Sequence, residues 1–161
     1  MSTVAKHETE IIAPAGVPWI DIIREFDATP DRVFRAHVDP ALFAQWIGPR
    51  DLSFKLGEWD ARTGGRWAYS SGRGEDVFSF YGSFHEIREN ERIVQTFTYA
   101  GVPDAVALEI ARFEALPGGR TRLVNRSIGS SVEERDSMVA SGMESGIIEG
   151  YQQLDELLNQ E

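Results

Sequence analysis

From Ser130 to Glu161, apolar residues return at helical spacing: Val132, Val139, Met143, Ile147, Leu154, Leu157 and Leu158 fall on one stripe. The pattern predicts a single long amphipathic helix. Ser130 and Ser131 each stand three residues before an acid, Glu133 and Glu134, a doubled capping-box signature in which a serine hydroxyl accepts an orphan backbone N–H. Glu133, Glu134 and Asp136 put negative charge near the positive end of the helix dipole. Gly146 and Gly150 fall inside the apolar stripe and Gly142 at its edge. Each glycine costs a helix interior roughly 0.8–1 kcal/mol relative to alanine, so three of them imply a steric requirement. Two readings serve equally: close packing of the helix backbone on bulky strand residues, or a roof over a ligand cavity. Asp136 projects toward the apolar side, where a plain dipole charge is the preferred reading.

Upstream, the period changes. Trp19 to Asp27 reads as a strand with Ile20, Ile22 and Phe26 on one face, Arg24 between them, and Trp19 and Ile23 on the other. Thr29-Pro30 and Asp39-Pro40 are successive helix starts, and two short helices follow: one with Val33, Phe34 and His37, one with Leu42, Phe43 and Trp46. From Leu52 to Ile128 alternation takes over. Strands are predicted around Phe54 and Leu56, at Arg66 to Ser70, Val77 to Ile87, Arg92 to Tyr99, Ala105 to Ala115 and Arg120 to Ile128. Thr63-Gly64-Gly65, Ser71 to Gly74, Arg88 to Glu91 and Pro117-Gly118-Gly119 are the turns between them, with a bulge expected at Gly82. Strands joined by tight turns pair antiparallel, and a sheet with one apolar face needs a cover. The terminal helix is the one element long enough. The predicted fold is therefore α+β: a curved antiparallel sheet wrapped around a long C-terminal helix, with two short helices after the first strand. Residues 1–18 read as an extended arm, and 19–161 as one domain.

Composition narrows the picture. The chain has 161 residues, no cysteine and a net charge of −10. Disulfides, thiolate nucleophiles and cysteine metal sites are excluded. The acidic balance disfavours a nucleic-acid partner, which needs clustered Lys and Arg. No apolar run reaches membrane-spanning length, so membrane insertion is not expected and a cytoplasmic location is the default.

Five runs stand out: Arg24-Glu25-Phe26-Asp27-Ala28, then Asp39 through Pro49 (DPALFAQWIGP), Asp60 through Trp67 (DARTGGRW), Gly82 through Ile87 (GSFHEI), and Gly142 through Gly146 with Leu154 through Leu158. Together they resemble the START-like (SRPBCC) superfamily and, within it, the family of homologues of the activator of the Hsp90 ATPase. The resemblance covers about residues 20–160. It departs at Arg88-Glu89-Asn90, where the family often carries a proline pair, and that changes only a hairpin tip. The resemblance implies the helix-grip (START-like, Bet v 1-like) fold and a hydrophobic cavity. It does not imply chaperone activation, because the eukaryotic activators use a separate N-terminal domain for much of that contact.

Candidate chemistry is sparse. The histidines are His7 in the arm, His37 at the end of a short helix, where a surface position is expected, and His85 in a strand. His85 could serve as a general base if it faced inward, but alternation sets it opposite the phenylalanines. With Tyr69 and Asp136 it makes up the candidate catalytic set. No HxH or HExxH occurs, so no metal is expected, and no cofactor. Arg62 and Arg66, flanking Gly64-Gly65, read as surface ion-pair partners, and Glu58 and Asp60 as a solvated edge. Aromatics are dense in the β region. Trp46, Trp67, Tyr69, Phe80 and Phe97, with Met143 and Ile147 from the helix, form the candidate ligand-binding set. The leading expectation is a binding module for a small apolar molecule. A cofactor-free enzyme of polyketide cyclase type follows, then a chaperone-interaction module; a homodimer is compatible with any of them.

Overall fold

The computed structural model describes residues 8–160, so His7 and the start of the arm lie outside the described residues. Among the described residues, eight strands form one antiparallel sheet: β1 (Glu10–Ile12), β2 (Trp19–Phe26), β3 (Ser53–Trp59), β4 (Arg66–Arg73), β5 (Asp76–Arg88), β6 (Arg92–Tyr99), β7 (Ala107–Leu116) and β8 (Arg120–Ile128). Helices α1 (Pro30–Val38) and α2 (Pro40–Phe43) follow β2, and α3 (Val132–Ala140) and α4 (Met143–Asn159) follow β8. The spatial order is β1-β2-β8-β7-β6-β5-β4-β3. This is the helix-grip architecture, an α+β fold in which β3 to β8 form a meander and β2 closes against β8.

Local chemistry sets each element. Pro30 opens α1, with Thr29 at the cap position but making no side-chain cap hydrogen bond, and Asp39 caps α2 by accepting from the Ala41 and Leu42 amides at 2.9 and 3.4 Å. The last carbonyls of α1 are taken up by two indoles: Trp46 Nε1 donates to Ala36 O at 2.9 Å and Trp59 Nε1 to Val38 O at 2.8 Å. A helix end that would otherwise carry orphan carbonyls is thereby joined to the loop and β3 that follow. On the outer face of β2 and β8, Arg126 pairs with Asp21, and Arg120 and Arg122 with Glu25. These cross-strand pairs fix the register that sends Ile20, Ile22, Arg24 and Phe26 inward. Phe26, Ile20, Leu123, Leu154 and Val33 are fully buried and fill the end of the molecule where α4 and α1 meet the sheet. Arg24 is buried with them, its guanidinium 4.9 Å above the Phe26 ring and 3.9 Å from Asp155 of α4.

Four features differ from the sequence reading. Part of the predicted arm is an edge strand, because Glu10 to Ile12 pair with Ile23 to Asp21. The predicted single terminal helix is two helices. Gly142 sits between them at φ 83°, a left-handed conformation that glycine adopts without the Cβ clash other residues incur. Only Ser131 behaves as the predicted cap, its hydroxyl accepting from Glu134 N at 3.1 Å, whereas Ser130 bonds the Glu134 carboxylate. Finally, the β5–β6 bulge falls between Phe84 and Glu86, not at Gly82. Gly82 answers another need: a side chain there would collide with the Thr96 carbonyl and with the Trp67 ring.

Candidate ligand-binding site

Between the sheet and α3–α4 lies a hollow of about 730 Å3. Its floor is built from strand positions with short or polar side chains: Ala107, Glu109 and Ala111 on β7, Asn125 and Ser127 on β8, and Gln95 on β6. Further along the same strands, Phe113 and Leu123 reach up and fill the core. The hollow thus begins where the inward residues of β7 and β8 shrink.

The walls are aromatic. Tyr69 lies 5.6 Å from Trp67, 5.3 Å from Phe80 and 5.7 Å from Phe43, centroid to centroid. Phe80 continues the chain to Phe97 at 5.4 Å and Tyr99 at 5.5 Å. These are offset or edge-on contacts of the kind aromatic quadrupoles favour, each worth about 0.5–1.5 kcal/mol beyond area burial. Trp67 is buried, and its indole Nε1 has no hydrogen-bond partner among the described residues. Met143, Ile147 and Tyr151 form the roof, with Trp46 stacked on Tyr151 at 6.0 Å. The lining residues Tyr99, Val102, Ser137 and Ser141 are exposed and mark the mouth, between the β6–β7 connection and the α3–α4 junction.

One acid sits in the middle of the floor. Glu109 accepts from Ser127 Oγ at 2.5 Å and from Asn125 Nδ2 at 3.5 Å. Burial raises its pKa against the pull of these two hydrogen bonds. Its charge also bears on two phenols: Tyr69 and Tyr151 are both held above the ordinary tyrosine value, first by burial and then by Glu109. His37 lines the same space. Its Nδ1 lies 2.8 Å from Val33 O, its ring packs edge-on against Trp46 and Phe113, and burial pushes its pKa down to about 4. The surface position expected for His37 is therefore corrected: the apolar rings around it outweigh the attraction of the helix C-terminus for its charged form.

All seven residues of the predicted ligand-binding set, Trp46, Trp67, Tyr69, Phe80, Phe97, Met143 and Ile147, line the hollow. The predicted catalytic set is not brought together. Tyr69 is in the hollow, but His85 is exposed at the β5 bulge, on the face opposite the buried Phe84. Asp136 is 61% exposed and bonded by Arg135, so it is the dipole charge of the preferred reading and does not project inward. Arg62 pairs with Asp60 at 2.9 Å and Arg66 with Glu58 at 2.8 Å, as surface ion pairs. Among the described residues no group of His, Asp and Glu could hold a metal ion. The sequence reading missed Glu109, Asn125 and Ser127. The available signal was the inward phase of β7, Ala107-Glu109-Ala111-Phe113, which the apolar Leu108 and Ile110 of the opposite phase concealed.

Two of the helix glycines, Gly146 and Gly150, line the hollow beside the chain segment between α2 and β3. A methyl group at Gly150 would meet the Trp46 carbonyl at 3.4 Å, and one at Gly146 would meet Pro49 at 3.8 Å. Gly150 is thus packed close on the chain segment between α2 and β3, Gly146 touches that segment at ordinary contact distance with room for a methyl group, and Gly142 serves the helix break.

Comparison with known proteins agrees with this architecture. The profile of the family described as activator of Hsp90 ATPase homolog 1-like protein matches residues 27–159. A crystal structure of a Rhodobacter sphaeroides protein superposes with a TM-score of 0.85 at 23% identity, over 95% of this chain and 99% of the other. Protein Ms6760 from Mycobacterium smegmatis gives 0.84 at 22% identity, over 94% and 96%. The solution structure of an Arthrobacter aurescens protein gives 0.85 at 25% identity, over 94% and 92%. None of the curated proteins matches the chain. Among the described residues no helix is long and apolar enough to cross a membrane.

Proposed function

The chain belongs to the activator of Hsp90 ATPase homolog 1-like family, and from that premise we propose that it is a binding protein for a small, mostly apolar molecule seated between the sheet and α3–α4. The observation that carries this reading is the hollow of about 730 Å3, within the range typical of small-molecule sites. Its walls are ring faces, and its floor carries the hydrogen-bonded cluster Glu109, Asn125 and Ser127, an arrangement that sequesters a body and orients one end. The roof methionine Met143 is flexible and polarisable enough to follow a guest's shape.

The test is direct. Protein purified under mild conditions is examined by native mass spectrometry and by solvent extraction, and empty protein is titrated with the neutral fluorophore N-phenyl-1-naphthylamine. Stoichiometric uptake with enhanced emission is expected. Failure of the fluorophore to enter, together with extracts free of any bound compound, would overturn the reading.

A second reading has one observation in its favour. Glu109, with its raised pKa, acts electrostatically on the buried phenol of Tyr69, and a pair of titratable groups in a shielded cavity is a common basis for acid–base catalysis. On that reading the protein is a cofactor-free enzyme acting on an aromatic or polyketide-like compound. Chemical change of an extracted ligand by wild-type protein, lost in Y69F, would favour it over simple binding.

A further inference from the structure

We propose that the molecule held in the hollow is an organic cation, an amphipathic amine whose ammonium group docks on Glu109 while its apolar body lies among the rings of β4, β5 and β6. The inference rests on the binding function proposed above and specifies its ligand class.

Glu109 is a carboxylate without a counter-charge. Its partners, the Ser127 hydroxyl and the Asn125 amide, are neutral donors, and among the described residues it forms no ion pair. Among the described residues the lining contains neither lysine nor arginine. Arg24 lies beneath α4, engaged with Asp155 and the Phe26 ring, and is not part of the lining. His37 is the remaining basic group, and its surroundings keep it neutral. A carboxylate enclosed by apolar walls is costly unless it is paired or protonated. Among the described residues the protein supplies neutral hydrogen bonds that hold the group in place but no cation; a protonated amine brings both a proton and a positive charge, and so relieves the carboxyl directly.

The walls select the same species. The faces of Trp67, Tyr69, Phe80 and Phe97 carry negative quadrupole potential and attract a cation, most strongly where water is excluded. Glu134 adds a second acid to the lining, and the chain as a whole carries a charge of −10. An anionic guest would therefore face two carboxylates and no cation, whereas a cationic guest is favoured during approach and on arrival.

Three probes that share one apolar body decide the matter: 2-(2-naphthyl)ethylamine, 2-(2-naphthyl)ethanol and 2-naphthylacetate, each titrated at pH 7 into wild-type protein and E109Q. In the wild type the amine is expected to bind about tenfold or more tighter than the alcohol, and the carboxylate weakest. In E109Q the advantage of the amine over the alcohol should vanish, since glutamine keeps the shape and loses the charge. Equal affinities for amine and alcohol in the wild type, tightest binding of the carboxylate, or an amine preference that survives E109Q would each overturn the proposal. Should E109Q fail to fold by circular dichroism, the wild-type ranking, with E109D as the charge-retaining variant, still decides. N-phenyl-1-naphthylamine, whose nitrogen is not basic, separates the two levels. If it enters while the amine shows no preference, the cation proposal falls and the binding site stands; if neither it nor any probe enters, both fall.

Discussion

Glu109 is a carboxyl group whose charged form the fold disfavours. The folded state raises the Glu109 pKa above its ordinary value of 4.5, so the native protein holds this proton more tightly than the unfolded chain does. The penalty is complete at pH values above the folded pKa, shrinks as pH falls through it, and is gone below about 4.5. E109Q is therefore expected to be more stable than wild type at pH 7, with the gap closing on acidification, as read from urea midpoints; a less stable variant at pH 7 would contradict the assignment. His37 acts in the opposite sense. Its folded pKa is lowered from 6.5 to about 4, so acid protonates the unfolded chain first, and stability drains away as pH falls from 6.5 toward 4. The contribution is on the order of 3 kcal/mol. H37F should keep the ring packing on Trp46 and Phe113 and lose less stability than wild type across that window, a difference chemical denaturation at several pH values would measure. Neither residue's environment was legible in the sequence. A histidine near the end of a helix looks like a surface dipole partner until the rings of β7 and the α2–β3 connection are brought around it.

At the scale of elements, the two helix-forming glycines and the helix-breaking one part company. Gly146 has room for a methyl group, so G146A should be neutral or stabilising, by up to about 1 kcal/mol from helix propensity. Gly142 lies at φ 83°, and G142A should cost about 1–2 kcal/mol if the break is retained. Thermal melts of the pair test whether the break is built in, and equal effects of both substitutions would count against it. The apolar stripe from Val132 to Leu158 marked helical character correctly but could not show the interruption, because a glycine inside a helix and a glycine ending one have the same letter. The strands show a similar division. Arg92–Tyr99 and Arg120–Ile128 were found at their sequence-predicted bounds, since alternation and flanking turns agree there. In β7 alternation misleads: Leu108 and Ile110 form the more apolar phase, yet Leu108 is 37% exposed and Glu109 faces the hollow. Pairing with β8, which places Glu109 opposite Ser127, sets that register.

Across the whole molecule the core is divided. One end is filled by Phe26, Val33, Leu123 and Leu154, and the other is left empty over Ala107, Glu109 and Ala111. Filling the empty end should separate stability from binding. A111F, which places a ring beside Glu109, is expected to abolish uptake of N-phenyl-1-naphthylamine without lowering the melting temperature, since it occupies space no side chain uses. Undiminished uptake would show that the fluorophore sits elsewhere. The sequence by itself determined the helix-grip architecture, because turn chemistry, strand alternation and the terminal apolar stripe are local signals that all agree. It also pointed to Trp46, Trp67, Tyr69, Phe80 and Phe97, since large apolar residues on a one-faced sheet have few places to go, but not to Phe43, Phe54, Trp59, Tyr99 and Tyr151, which line the same hollow. Only the tertiary structure decided that the hollow opens over short residues on β7 and β8, with Gly150 closely packed and Gly142 at a helix break. It alone brought Glu109, Asn125, Ser127, Tyr69 and Tyr151 into one enclosure. Those residues come from three strands and a helix far apart in the chain, and the field each feels is set by neighbours that no local pattern of letters can specify.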